Sequence, residues 1–274
     1  MKKLVTRTLT GIGIVAVILA AILASEYSYA LLFLLILTGG TLEFSALFKN
    51  SQTKPNTWLT LPAAILTFTV TFLIVQKTLS GSYFFLLFPM LLVIMAAELF
   101  RKKPTPPENI AVSIFSLFYL AIPASLTNFL VFPELSGTTV YTPKLLVALF
   151  ALIWIYDSGA YLVGISIGKH RLFERISPKK SWEGAIGGTF IAIIAARFIS
   201  GFIPEIGLVH WIIMSILLVV SSTFGDLTES MFKRYFGIKD SGTLLPGHGG
   251  ILDRFDSLFF AIPVIVMYLK LFVE

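Results

Sequence analysis

Apolar positions in this chain run in long blocks broken by short polar stretches. Nine blocks stand out: 8–25, 30–48, 58–75, 82–100, 110–132, 145–167, 184–202, 208–225 and 257–273. A helix needs about 20 mostly apolar residues to cross a bilayer. The pattern therefore predicts an all-α integral membrane protein with about nine transmembrane helices. Pro89, Pro123 and Pro263 interrupt three of the blocks without ending them. Glu43 interrupts the block 30–48, and reading that block as interfacial gives eight spans instead.

The polar stretches are not alike. With the N-terminus placed in the cytoplasm, 17 of the 21 Lys and Arg residues fall on the inner side and Lys77, Lys144 and Lys270 on the outer; Arg197 lies within a span. Inner loops of membrane proteins are enriched in Lys and Arg. The expected topology has the N-terminus cytoplasmic and the C-terminus outside. The opening "MKKLVTRTLTGIGIVAVILAAILAS" resembles a signal peptide, but the apolar blocks behind it make it a retained first span.

Composition agrees. The 274 residues are 56% hydrophobic and 13% charged, against about 25% charged in an ordinary soluble domain. Mean hydropathy is +0.88. The net charge of +6 reports topology first, so no nucleic-acid partner is expected. There is no Cys, which excludes disulfides, thiol nucleophiles and cysteine metal sites.

The chain divides into residues 1–140, a hydrophobic bundle with short loops (a dimer surface or lipid groove), and residues 141–274, a span region with cytoplasmic loops at 168–183 and 226–256. All five aspartates belong to the second part. Asp157 sits near the middle of the block 145–167. A carboxylate there is costly unless it faces a polar cavity or a partner. It either lines a water-filled cavity and binds a cation or substrate group, or it pairs within the bundle, for example with Arg197. Ser158, Gly159, Ala160 and Gly164 make that helix thin enough to pack closely on a neighbour.

The stretch "KHRLFERISPKKSWEG" (169–184) carries five basic residues and a Pro-fixed turn. Ser177, Lys179, Lys180 and Ser181 suit phosphate oxygens; the alternative is a basic inner loop touching anionic lipid. Ser181 is placed to cap the next helix, with Glu183 and Gly184 opening it.

Residues 225–257 mix acids, bases and glycines most densely. If the stretch begins as helix, Asp226, Glu229 and Lys233 share a face. Asp253 and Asp256 share another if the last helix begins near Leu252. Asp226, Asp253 and Asp256, with Asp157, form a candidate set for a hard cation such as Mg2+, which takes few carboxylates and completes its shell from water and substrate phosphates. Lys233, Arg234, Lys239 and Arg254 would neutralise those phosphates. Gly247, Gly249 and Gly250 would let backbone N–H groups approach an anion beside a helix N-terminus. His248 is a candidate proton donor or phosphate ligand. No P-loop, nucleophile elbow or zinc-protease motif is present.

Ser230 to Asp256 fits S-x-x-K-R-x4-K-D-x-G-x2-L-P-x-H-G-G-x-x-D-R-x-D at every fixed position over 27 residues. This resembles the signature of the phosphatidate cytidylyltransferases (CDP-diacylglycerol synthases). The resemblance extends to "DSGAY" at Asp157, "ISPKKSWEG" from Ile176 to Gly184 and "GDLTES" at Gly225, with Ser181 standing where a Thr is expected. It is strong over roughly 145–270. It implies Mg2+-dependent transfer of a cytidylyl group from CTP to phosphatidic acid, giving CDP-diacylglycerol and pyrophosphate. It also implies a bacterial cytoplasmic (inner) membrane location among membrane lipids, a cytoplasm-facing site and a homodimer. It places Asp226, Lys233, Lys239, Asp240, His248 and Arg254 in the catalytic set. Two rival readings are a CTP-dependent kinase of polyprenol or another lipid alcohol, and a cation or phosphate transporter with Asp157 on its path.

Overall fold

The computed structural model describes all residues except Met1, 135–139, 245–248 and Glu274, and the side chains of 2–9 are left out. Ten α-helices are described: α1 (Lys2–Ala24), α2 (Glu26–Leu47), α3 (Thr57–Val75), α4 (Leu87–Arg101), α5 (Pro106–Ser116), α6 (Ile122–Val131), α7 (Lys144–Ile167), α8 (Trp182–Ile199), α9 (Leu208–Tyr235) and α10 (Leu252–Phe272). A 3-10 turn, Gly81–Leu86, leads into α4, and a π-helical turn, Leu117–Ala121, joins α5 to α6. Two short strands, β1 (Arg171–Phe173) and β2 (Ser177–Ser181), pair antiparallel. Among the described residues the chain is therefore all-α apart from one small hairpin.

Among the described residues, eight helical segments are long and apolar enough to cross a membrane, and Thr10–Ala24 is a shorter apolar helix. These match the nine expected blocks in order. Charge does not stop the helices where hydropathy does. The block expected to end at 225 continues to Tyr235 in α9, and the last helix begins at Leu252 in α10. Of the expected loop 226–256, α9 thus takes 226–235 and α10 takes 252–256. The loop 168–183 is partly structured by β1 and β2.

One continuous apolar core runs through both parts of the chain, from Phe33, Phe44 and Phe68 to Trp211 and Phe259. Several polar side chains inside it are hydrogen-bonded, whereas the Thr41, Thr60 and Tyr119 hydroxyls are buried with no partner among the described residues. Tyr29 Oη donates to Asn128 Oδ1 at 3.0 Å and lies 2.5 Å from Thr127 Oγ1. Thr67 and Thr71 donate to carbonyls one turn back. Burying such groups unpaired in hydrocarbon costs several kcal/mol each, in order of magnitude. Near the ends of α4 and α5, Glu98 accepts from Arg101 and Asn109, which ties the 101–109 connection to Lys54.

Helices α7 and α8 cross closely. A Cβ on Gly188 would lie 2.8 Å from Ala160 Cβ and 2.9 Å from Ala160 N; one on Gly184 would lie 2.7 Å from the Ala160 carbonyl oxygen. Small residues let backbones approach where no hydrophobic force drives helices together. Gly159, Ala160 and Gly164 supply the α7 side, as their sequence suggested. The outer face of α8 carries exposed Phe190, Ile194 and Phe198.

Gly188→Leu should therefore push α7 from α8 and cost about 1–3 kcal/mol or more, the scale of overpacking. Thermal unfolding in detergent should show a lower midpoint for Gly188→Leu and little change for the outward-facing Phe190→Leu.

Candidate active site

The charged residues gather where α7 ends, α8 begins, α9 ends and α10 begins. Two local devices place them. The first is Gly225 on α9. A Cβ there would lie 2.6 Å from the Asp256 carbonyl oxygen and 2.7 Å from Phe260 Cβ. Only a glycine lets α9 meet α10 this closely, and the approach brings Asp226 beside the first turns of α10. The second is Ser181. Its hydroxyl accepts the Gly184 N–H at 3.1 Å and caps α8, as expected. Lys180, one residue earlier at the end of β2, forms an ion pair with Asp226. Burial disfavours the Lys180 ammonium, but the adjacent Asp226 outweighs it and holds the group above its ordinary value.

A second ion-pair cluster lies deeper. Lys233 on α9 pairs with Glu229 one turn back and with Asp253 on α10, the latter at 2.7 Å. Asp253 Oδ2 also accepts the Ser241 N–H at 2.9 Å and the Gly250 N–H at 2.7 Å. Asp253 therefore binds a lysine with one oxygen and gathers the Ser241 and Gly250 amides with the other. Gly249 adopts φ +83°, and a Cβ there would sit 2.6 Å from Asp253 Oδ2. Asp256 is buried, accepts from the Ser257 N–H at 2.6 Å, and lies in the electrostatic field of Asp226, Lys233 and Lys180.

Asp157 does not pair with Arg197, which is exposed in the last turn of α8. It lines a cavity of about 620 Å³ with Tyr156, Gly164, Lys179, Lys180 and Ser181. The Tyr156 hydroxyl lies 2.6 Å from Thr223 Oγ1, which fastens this wall to α9. Tyr161 and Ile165 also line the cavity and are exposed on the outer face of α7. The cavity thus has a charged end beside Asp226 and an apolar flank.

The remaining expected residues are more scattered. Ser177 opens β2 and Lys179 is exposed on it. Arg234 donates to the Ile238 carbonyl at 3.2 Å and closes the turn after α9, where Gly237 has φ +67°. Lys239 and Asp240 are exposed on the following loop, and Arg254 is exposed in the first turn of α10. Gly247 and His248 lie outside the described residues. The Gly250 N–H, expected to face a bound anion, is instead given to Asp253.

Glu43 was read in the sequence only as an interruption. It is buried at the C-terminal end of α2 and accepts the Leu252 N–H at 2.9 Å. The signal was available, since the argument that singled out Asp157 as an acid inside a span applies equally here. Glu229 was seen to share a face with Lys233, but not to be almost fully buried as its partner.

The four candidate metal ligands do not form a ready cage. No group of three or more His, Cys, Asp or Glu is arranged to hold a metal among the described residues, and Asp226 and Asp253 are each committed to a lysine. Around Lys180 and Lys233 stand Asp157, Asp226, Glu229, Asp253 and Asp256, so acids outnumber bases. An acid excess of hard oxygen donors fits a cation that takes few protein ligands and completes its shell with substrate phosphate.

A family model described as "Cytidylyltransferase family" matches residues 5–272. The chain belongs to this family. Among curated cytidylyltransferases, the phosphatidate cytidylyltransferase of Staphylococcus aureus (strain COL) is 48% identical over 118 residues, which is 42% of this chain and 45% of that protein. The Haemophilus influenzae phosphatidate cytidylyltransferase is 48% identical over 124 residues, 43% of each chain. That of Staphylococcus saprophyticus is 45% identical over 118 residues, with the same coverage of 42% and 45%. The chain thus spans less than half the length of the curated cytidylyltransferases it matches.

Lys233→Met should leave Glu229 and Asp253 without their shared cation. Removing one partner of a buried ion pair costs about 3–5 kcal/mol. A clear fall in thermal midpoint in detergent is expected; an unchanged midpoint would mean that the pair carries no such weight.

Proposed function

We propose that the protein transfers a cytidylyl group from CTP to phosphatidic acid, giving CDP-diacylglycerol and pyrophosphate. One observation carries the reading. The separate signature stretches around Asp157, Ile176–Gly184, Gly225–Lys233 and Asp253–Asp256 meet at one end of four apolar helices, beside a charged cavity with an apolar flank. A reaction joining a water-soluble nucleotide to a membrane lipid needs this combination. The printed names of the relatives point the same way.

In the proposed reaction, an oxygen of the phosphatidate phosphate attacks the α-phosphorus of CTP. The new P–O bond forms as the bond to the β-phosphate oxygen breaks, and pyrophosphate leaves with that electron pair. A phosphate monoester with a second pKa near 6 is already largely deprotonated at neutral pH, so no protein base need activate it. Two polyanions must meet, and the protein's task is neutralisation and alignment. Lys180 and Lys233 stand ready to leave their carboxylates for phosphate oxygens. Lys179, Ser177 and Ser181 border the lipid phosphate or the nucleotide; Lys239, Arg234, Arg254 and Asp240 complete the polar surface, and His248, outside the described residues, is kept from the sequence as a candidate phosphate ligand or proton donor. A divalent cation such as Mg2+, held through Asp226 and Asp253 with Asp256 and Asp157 in support, would supply positive charge to the phosphates. The acyl chains would lie along the flank at Tyr161 and Ile165. The reading carries an inner-membrane location, a cytoplasm-facing site and a homodimer with it.

Purified protein given labelled CTP and phosphatidic acid with Mg2+ should yield CDP-diacylglycerol and pyrophosphate, and chelator should stop it. A phospholipid plus CDP would indicate a kinase instead, and ion flux without CTP a transporter. Asp253→Asn, which keeps an acceptor for the loop, should lower kcat by about 10²-fold or more, the scale of a lost electrostatic contact. Lys239→Ala should mainly raise KM for CTP or phosphatidate.

A further inference from the structure

Ser241, Gly242 and Gly250 are held by two carboxylates, and only one belongs to the signature. On one side Asp253 accepts the Ser241 and Gly250 N–H groups. On the other side is Glu43, from α2, 209 positions away from its partner Leu252 in sequence. A Cβ on Gly242 would collide with Glu43 Oε1, and one on Gly250 with Glu43 Oε2 and the Ser241 hydroxyl. Both glycines thus leave the volume that the Glu43 carboxylate fills. One turn earlier on α2, a Cβ on Gly39 would collide with the Ile251 side chain. The α2 surface is shaped to these residues over two turns.

The contact answers a local need. The first N–H groups of a helix lack intrahelical partners, and a Ser, Thr, Asp or Asn at the N-cap commonly supplies one. The N-cap of α10 is Ile251, which cannot. Glu43 supplies the acceptor from another helix, with its negative charge at the favourable end of the α10 dipole. Burying a carboxylate with no cation beside it is expensive, and no ion pair to Glu43 is formed among the described residues. A simple helix cap would not require an acid brought in from the N-terminal half. Leu252 immediately precedes Asp253, so what fixes the Leu252 amide fixes the angle at which Asp253 leaves α10.

We infer that Glu43 is a positioning residue of the active site: by accepting the Leu252 N–H and filling the space left by Gly242 and Gly250, it holds Gly242, Gly250 and Asp253 in working register. The N-terminal half thereby contributes to the site through α2. The kinetic consequence rests on the cytidylyltransferase reading; the structural one does not.

The test compares Glu43→Ala and Glu43→Gln with the wild type in lipid nanodiscs, by steady-state kinetics and by amide hydrogen exchange of peptides covering Gly249–Asp253. The Gln variant keeps a carbonyl oxygen for Leu252 and should retain both protection and turnover within about threefold. The Ala variant should exchange faster in those peptides and lose about tenfold or more in kcat, with KM for CTP little changed, since small misplacements near reacting groups act on the chemical step. Wild-type exchange in Glu43→Ala, whatever its turnover, would overturn the inference. Equal losses in Ala and Gln would overturn the hydrogen-bond account. If the wild type turns over neither substrate, the functional reading fails, and the exchange comparison still decides the role of Glu43.

Discussion

A lysine ammonium buried at the end of a helix bundle must be met by carboxylates, and Lys233 is met by two. Glu229 comes from its own helix, Asp253 from the next. Each ion costs several kcal/mol to remove from water, so the three groups constrain one another. That constraint pins the end of α9 to the start of α10, and Asp253 passes it on to the loop through the Ser241 and Gly250 amides. The more exposed pair Lys180–Asp226 repeats the arrangement between β2 and α9. The polar end of the protein is thus a set of cations stored against acids.

Under the proposed reaction, such storage would suit a site that receives two phosphate-bearing molecules. A free lysine cluster would bind anions without discrimination, and a free acid cluster would repel them. Paired, each charge is kept in place until an incoming phosphate or cation offers a better partner. The helices beneath supply rigidity through close backbone approach: Gly225 against α10, and Gly184 and Gly188 against α7. The glycines of this sequence therefore serve packing as much as loop freedom.

The order and positions of the spans were legible in the hydropathy blocks, since the physics of a spanning helix is nearly local. So were the Ser181 cap and the thin face at Gly159 to Gly164. The end of α9 and the start of α10 were legible only as conditions, a helical start to 225–257 and a last helix from near Leu252, beside a loop drawn at 226–256. Hydropathy stops at Asp226, but a charged residue continues a helix where a partner across the bundle offsets its desolvation cost, and the partner is invisible in one sequence. The β1–β2 hairpin escaped because three- and five-residue strands are too short to show a period. Glu43 was visible as an acid inside a span, but its meaning depended on Leu252, Gly242 and Gly250, more than 190 positions away. Long-range complementarity of this kind is set by the folded geometry and leaves no local pattern.

The central claim is that the stored lysines and aspartates at the junction of α7 to α10 receive the nucleotide's phosphates. The most direct measurement is an experimental structure in lipid nanodiscs with CTP and Mg2+. The account predicts triphosphate density between β2 and the start of α10, with Lys180 or Lys233 turned from its carboxylate toward phosphate oxygen. Nucleotide bound elsewhere, with both lysine–aspartate pairs intact, would contradict it.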